Sequence, residues 1–222
     1  MYENTEEEIA MGGYPLGELI LDLIQTAILA YLTIAMTQLA SKREDILAYK
    51  LIAWAFGCFF MALVFWIPHY YIMQDWPQGI IAASDLGFIG FYCFFISAHF
   101  ALSEKHSDEH KQAERRCRLV SLAAPVVTVL FFITYILQGD TVIGNILYAA
   151  PLAIWSYFTL RAFLAGKKSP ARLYYGLVLV TILMEMFVFE TSFFEDDTAY
   201  VVLSYAEMAV WLCIPSAVRK AV

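Results

Sequence analysis

Seven separate stretches of this chain are apolar for about 20 residues or more, the length a helix needs to cross a bilayer core about 30 Å thick. They cover residues 17–40, 48–70, 80–103, 119–138, 142–164, 172–193 and 198–218. No other feature limits the fold so severely. A segment in hydrocarbon must satisfy its own backbone N–H and C=O groups, so each stretch is predicted to be a helix. Composition agrees: 61% of the 222 residues are hydrophobic and 16% charged, with a mean hydropathy of +0.64. That is more apolar surface than a soluble domain of this length can hide. Turn chemistry lies between the stretches, at Asp75-Trp76-Pro77-Gln78-Gly79, Gln138-Gly139-Asp140 and Gly166-Lys167-Lys168-Ser169-Pro170. The expected fold class is all-α, a seven-transmembrane-helix bundle.

Charge sets the expected orientation. All 14 Lys and Arg residues fall in or beside alternate connections. Lys42, Arg43 and Lys50 follow the first span, and Lys105, Lys111, Arg115, Arg116 and Arg118 follow the third. Arg161, Lys167, Lys168 and Arg172 follow the fifth, and Arg219 and Lys220 close the chain. By the positive-inside rule the N-terminus lies outside and the C-terminus in the cytoplasm, which requires an odd number of spans. Residues 1–16 form an acidic extracytoplasmic tail, 17–218 a single membrane domain, and 219–222 a cytoplasmic end. The tail has no basic n-region, so no cleavable signal peptide is expected. Short loops make consecutive helices antiparallel neighbours. The basic residues are spread thinly over separate loops, which excludes a nucleic-acid surface.

Six carboxylates, Glu185, Glu190, Glu195, Asp196, Asp197 and Glu207, sit between Thr181 and Met208 with no Lys, Arg or His among them. Glu185 and Glu207 interrupt runs that are otherwise almost wholly apolar. A carboxylate in hydrocarbon costs several kcal/mol unless it is protonated, paired or facing water, by roughly the insertion-scale values. Polar residues at spacings of three, four and seven repeat on other spans. Glu18, Asp22, Thr26, Thr33 and Thr37 share a face of the first, and Asp85, Tyr92 and His99 a face of the third. Ser121, Thr128 and Tyr135 repeat on the fourth, and Asn145, Tyr148, Ser156 and Thr159 on the fifth. Tyr174, Thr181 and Glu185 follow on the sixth, and Tyr200, Ser204, Glu207 and Trp211 on the seventh. Six spans are therefore expected to converge on a polar interior, with the acids in its outer half. Glu190 lies about 140° round the helix from Glu185 and is set at headgroup level. The candidate ligand-binding residues are Asp22, Asp85, Tyr92, Glu185, Ser204, Glu207 and Trp211, lining an acidic cavity open to the outside.

Each of these has a plainer reading. Membrane hydroxyls usually bond back to their own helix. Asp85 follows Ala83-Ser84 and reads equally as an N-terminal cap. Trp54, Trp66, Trp76, Trp155 and Trp211 suit an interfacial belt, Trp211 being the exception. Cys58, Cys93, Cys117 and Cys213 show no disulfide framework and read as small hydrophobes.

Several activities are disfavoured. Seven-helix zinc hydrolases of the ceramidase and adiponectin-receptor type use several histidines on the metal. Here His69 and His99 lie towards opposite membrane faces, so no metal site is expected. Lysoplasmalogenase-type enzymes rely on intramembrane aspartates, for which Asp85 and Glu185 are the stand-ins. A rhodopsin needs a lysine in its seventh span for the retinal Schiff base, and that span has none. No cofactor and no catalytic residue are assigned.

The segment Ala83-Ser84-Asp85-Leu86-Gly87-Phe88-Ile89-Gly90-Phe91-Tyr92 resembles the third helix of bacterial seven-transmembrane sensory modules that precede GGDEF or histidine-kinase outputs. Gly176 to Glu185 is similar to their sixth helix, with Glu185 where an Asp is usual. Asp197 through Ala217, with Tyr200 and Tyr205, is similar to their seventh. The resemblance covers about a third of the chain, and residues 1–222 include no output domain. It implies a sensor fold in a bacterial cytoplasmic membrane, with the bilayer, a small-molecule or cation ligand, and a cytoplasmic or membrane signalling protein as partners. A proton- or cation-coupled transporter and an intramembrane lipid hydrolase with Asp85 and Glu185 as acid and base are the alternatives.

Overall fold

The computed structural model describes residues 16–43, 46–73, 82–105, 115–138, 142–166, 169–193 and 197–222. These form seven helices long and apolar enough to cross a membrane, and no strand is found among the described residues. They are α1 (Leu16–Lys42), α2 (Leu47–Ile67), α3 (Ala83–Lys105), α4 (Arg115–Ser121 and Ala123–Gln138), α5 (Val142–Ala165), α6 (Arg172–Phe193) and α7 (Asp197–Ala221). The membrane-spanning, all-α architecture is the one the seven apolar stretches require. Large apolar side chains such as Ile34, Met61, Val127, Ile154, Leu183 and Val202 are exposed on its periphery. Hydrocarbon is the solvent that suits such a surface.

Two prolines shape the helix ends. Pro68 has no N–H to donate to the preceding turn, and the chain widens there from α2 into a π-helical turn, Pro68–Met73. That turn carries Tyr71 towards α1. In α4, Pro125 can neither bond to nor pack closely under the carbonyl of Ser121, four residues back. The helix breaks at Leu122, whose N–H donates to Leu119 O at 3.2 Å instead.

The helices close a ring in which α1 touches α2 and α7, α3 joins α2 to α5, and α6 joins α5 to α7. α2 and α3 approach each other closely. A Cβ on Gly87 would stand 2.7 Å from both Cys58 O and the Ala62 side chain, so only glycine lets the backbones meet there. α4 stands outside the ring against α5, with Phe132 and Thr128 reaching Phe189 and Met186 of α6, and it is the span with the smallest buried share. The six inward-facing helices are therefore α1, α2, α3, α5, α6 and α7. α2 replaces α4 in the expected set, because its contribution is aromatic rather than polar and leaves no hydrophilic stripe in the sequence.

Aromatic side chains fill the ring at mid-depth. Phe59 and Phe91 lie 5.2 and 6.1 Å from Trp211, and Phe91 and Phe95 lie 6.0 and 5.1 Å from Trp155. These edge-to-face and tilted pairs match the ring quadrupoles. Trp155 was expected in an interfacial belt, but it is wholly buried at the centre. Trp211 is buried beside it, while Trp54 lies largely exposed on the lipid side. Trp76 lies outside the described residues.

Candidate functional site

Antiparallel packing gives the bundle an acid-rich end, where α1, α3, α5 and α7 begin, and a basic end. Near the acid-rich end two aspartates are held by tyrosines. On α3, Asp85 Oδ2 accepts the backbone N–H of Ala82 at 2.7 Å, reaching back over the start of its own helix. Its Oδ1 accepts the hydroxyl of Tyr148 on α5 at 2.8 Å. Asp85 is thus a helix-terminal partner and an inter-helix strut at once. On α1, Asp22 is buried and its Oδ2 accepts the hydroxyl of Tyr71 at 3.1 Å. Tyr200 on α7 lies within electrostatic reach of Asp22, Glu18 and Glu207.

Deeper in the bundle stands a different arrangement. Glu185, Glu207 and Tyr92 are eight, ten and nine residues from the acid-rich ends of their helices, which at 1.5 Å per residue places all three about 12–15 Å in. The Tyr92 hydroxyl donates to Glu185 Oε2 at 2.9 Å. The carboxyls of Glu185 and Glu207 lie within hydrogen-bonding range of each other. A bond between two carboxyls needs a proton on one of them, because ionised carboxylates only accept. Beyond that mutual contact, Glu185 Oε1 and Glu207 Oε1 are sealed from solvent and receive no hydrogen bond from any described residue. Glu207 is 1% exposed, so the bundle itself encloses it rather than lipid.

Ser204 and Trp211 flank Glu207 on the same face of α7, one turn before and one turn after, and both are buried. Trp211 packs its indole on Phe59 and Phe91 beneath the pair, and its Nε1 is buried without a hydrogen-bond partner among the described residues. Of the seven candidates, Tyr92, Glu185 and Glu207 come together. Asp85 connects to them through Tyr148, whose ring lies 6.4 Å from that of Tyr92. Asp22 belongs to a separate contact with Tyr71.

Tyr71 and Tyr148 complete the polar network. Tyr148 had a place on the α5 stripe, while Tyr71 lies in a run of aromatics with no periodic signal. The threonines of α1 bond to their own helix, Thr26 to Asp22 O, Thr33 to Leu29 O and Thr37 to Thr33 O, each at 2.7 Å. The buried face of α1 is Leu21, Asp22, Gln25, Leu29, Leu32, Met36 and Ala40. Asp22 is thus the inward member of its stripe, while Thr37 is exposed. On α4, Thr128 is buried and reaches Ser156 of α5 at 3.4 Å, and the Tyr135 side chain lies outside the described residues. No group of three or more His, Cys, Asp or Glu residues that could hold a metal ion is found among the described residues.

Comparison with known protein families, with curated proteins and with solved structures finds no match to this chain. The functional reading therefore rests on the residues themselves.

Proposed function

We propose that the protein is a membrane receptor-like sensor that takes a small cationic or hydrogen-bond-donating ligand at the Glu185–Glu207 pair. The observation that supports this most is the pair itself: two neighbouring carboxyls, enclosed by the bundle, with an oxygen each that, beyond their mutual contact, no described side chain or backbone group supplies with a donor. A buried polar atom without a partner costs about 1–3 kcal/mol, and more when charged. No Lys or Arg within α6 or α7 stands near the pair in sequence to offset that cost. A ligand bringing a cation or two donors would do so. The aromatic walls of Trp211, Phe59 and Phe91 would exclude water and offer ring faces to a positive charge.

Signalling would follow from differential affinity for two arrangements of α6 and α7. Ligand donors inserted between the carboxyls would replace their mutual contact and change the spacing of these helices. α7 runs unbroken from Glu207 to Arg219 and Lys220 at the end the charge pattern assigns to the cytoplasm. There, and at the basic connector between α3 and α4, a signalling protein would read the shift. The hydrolase alternative has less support, since both oxygens of Asp85 are already engaged.

The test is a thermal-shift screen of the purified protein over pH with sodium, potassium, ammonium, small alkylamines and guanidinium compounds. The Glu185→Gln/Glu207→Gln double variant is run beside it. Stabilisation of the wild type by one class and not of the variant is the expected result. Equal responses of both proteins across the panel would reduce the pair to a protonated packing element.

A further inference from the structure

Near the basic end, on the opposite side of the midplane from the carboxyl pair, α1 and α2 flank an open cleft of about 380 Å³ lined by Thr37, Ala40, Ser41, Lys50, Ala53 and Trp54. Two alanines leave the space: Ala40 and Ala53 are buried and offer no side chain long enough to fill it. Towards the midplane the helices come together, with the Thr33 methyl 3.6 Å from where a Cβ on Gly57 would stand. Lys50 is half-buried in the first turn of α2 and has no ion pair with any described residue. Trp54, one turn deeper, is 55% exposed to the surrounding lipid.

The geometry points to a headgroup site for an anionic phospholipid. A lysine held at the membrane boundary without an acidic partner among the described residues supplies the charge for a phosphodiester. The lipid-facing indole of Trp54 sits where an interfacial Trp packs against the glycerol and upper acyl region. The hydroxyls on the α1 wall narrow the headgroup further. Thr37 Oγ1 donates to Thr33 O at 2.7 Å and Ser41 Oγ to Thr37 O at 3.0 Å. Their hydrogens are thus committed to the helix, and their oxygens are left to accept. A headgroup with an anionic phosphate and free hydroxyls, as in phosphatidylglycerol, matches a wall with one cation and two acceptors. Phosphatidic acid lacks the headgroup hydroxyls and phosphatidylcholine lacks the net charge. The charge pattern assigns this end to the cytoplasmic face, so the lipid would come from the inner leaflet.

Native mass spectrometry of the full chain, titrated with phosphatidylglycerol, phosphatidic acid and phosphatidylcholine, tests the site. Phosphatidylglycerol is expected to bind most tightly and phosphatidylcholine least. Lys50→Gln should weaken phosphatidylglycerol about fivefold, the effect of about one basic residue at an anionic surface, and Lys50→Arg should retain it. Thr37→Val/Ser41→Ala should abolish the preference for phosphatidylglycerol over phosphatidic acid while keeping that for anionic lipid. Soluble glycerophosphoglycerol should not compete at equal concentration, because it has no acyl chain to lie against Trp54. Unchanged phosphatidylglycerol binding by Lys50→Gln would overturn the proposal. So would equal binding of phosphatidylcholine, or full competition by the soluble headgroup.

Discussion

Asp85 and Glu207 are both acids inside a membrane bundle, yet their surroundings differ in kind. Both oxygens of Asp85 are engaged: a backbone N–H holds one and the Tyr148 hydroxyl the other. Glu207 is enclosed more completely and has a second carboxyl for a neighbour, with an oxygen that no described residue other than that neighbour can supply with a donor. A satisfied, half-buried acid fixes structure, since removing it leaves the start of α3 and a tyrosine hydroxyl without their acceptor. An unsatisfied one holds free energy that a partner could release. The rim acids therefore build the bundle, and the mid-depth pair is the part to which the proposed function assigns binding.

Substitutions can break this contrast, and the largest effect lies beneath the pair. Trp211→Ala removes the indole that joins α7 to α2 and α3, and should destabilise by about 3–5 kcal/mol, the usual range for a buried Trp. Unfolding in denaturant with detergent present would register it. Gly87→Ala should cost about 1–3 kcal/mol by overpacking, since its Cβ would overlap the α2 backbone. Shortening Ala62 to Gly should rescue only part of the loss, since the contact with Cys58 O remains. At the rim, Asp85→Ala should cost about 1–2 kcal/mol, from a lost helix-terminal acceptor and a stranded Tyr148 hydroxyl. Tyr92→Phe should cost only about 0.6 kcal/mol, the average for a hydrogen bond between membrane helices. The smallest effect expected is that of Glu207→Gln. Its amide can donate to Glu185, so stability should stay within about 0.5 kcal/mol of wild type while the ligand response disappears. A loss as large as that of Asp85→Ala would place both acids in the same structural role.

The sequence pattern carried the fold and half of the site, for reasons visible in particular residues. Seven apolar runs leave a chain few alternatives to seven helices, and an acid amid such runs stands out without any structure. Helical periodicity then put Ser204, Glu207 and Trp211 on one face. Periodicity describes one helix at a time, however, and the partners that decide each acid's character lie on another helix. Tyr71 reaches Asp22 only because Pro68 widens the chain into a π turn. Trp155 carries no mark separating it from an interfacial tryptophan until α3 supplies Phe91 and Phe95. The hydroxyls of α1 looked like one polar stripe, yet a threonine bonding to its own helix asks nothing of the interior.

The most direct measurement is a side-by-side melt of the wild type, Asp85→Ala and Glu207→Gln in one detergent, without ligand and with the strongest stabilising cation or amine from the screen. The account predicts that Asp85→Ala melts lower in both conditions and keeps the ligand-induced rise. Glu207→Gln should melt close to the wild type without ligand and show no rise with it. A Glu207→Gln protein that keeps the full rise, or that loses as much stability as Asp85→Ala, would contradict the division between acids that build and acids that bind.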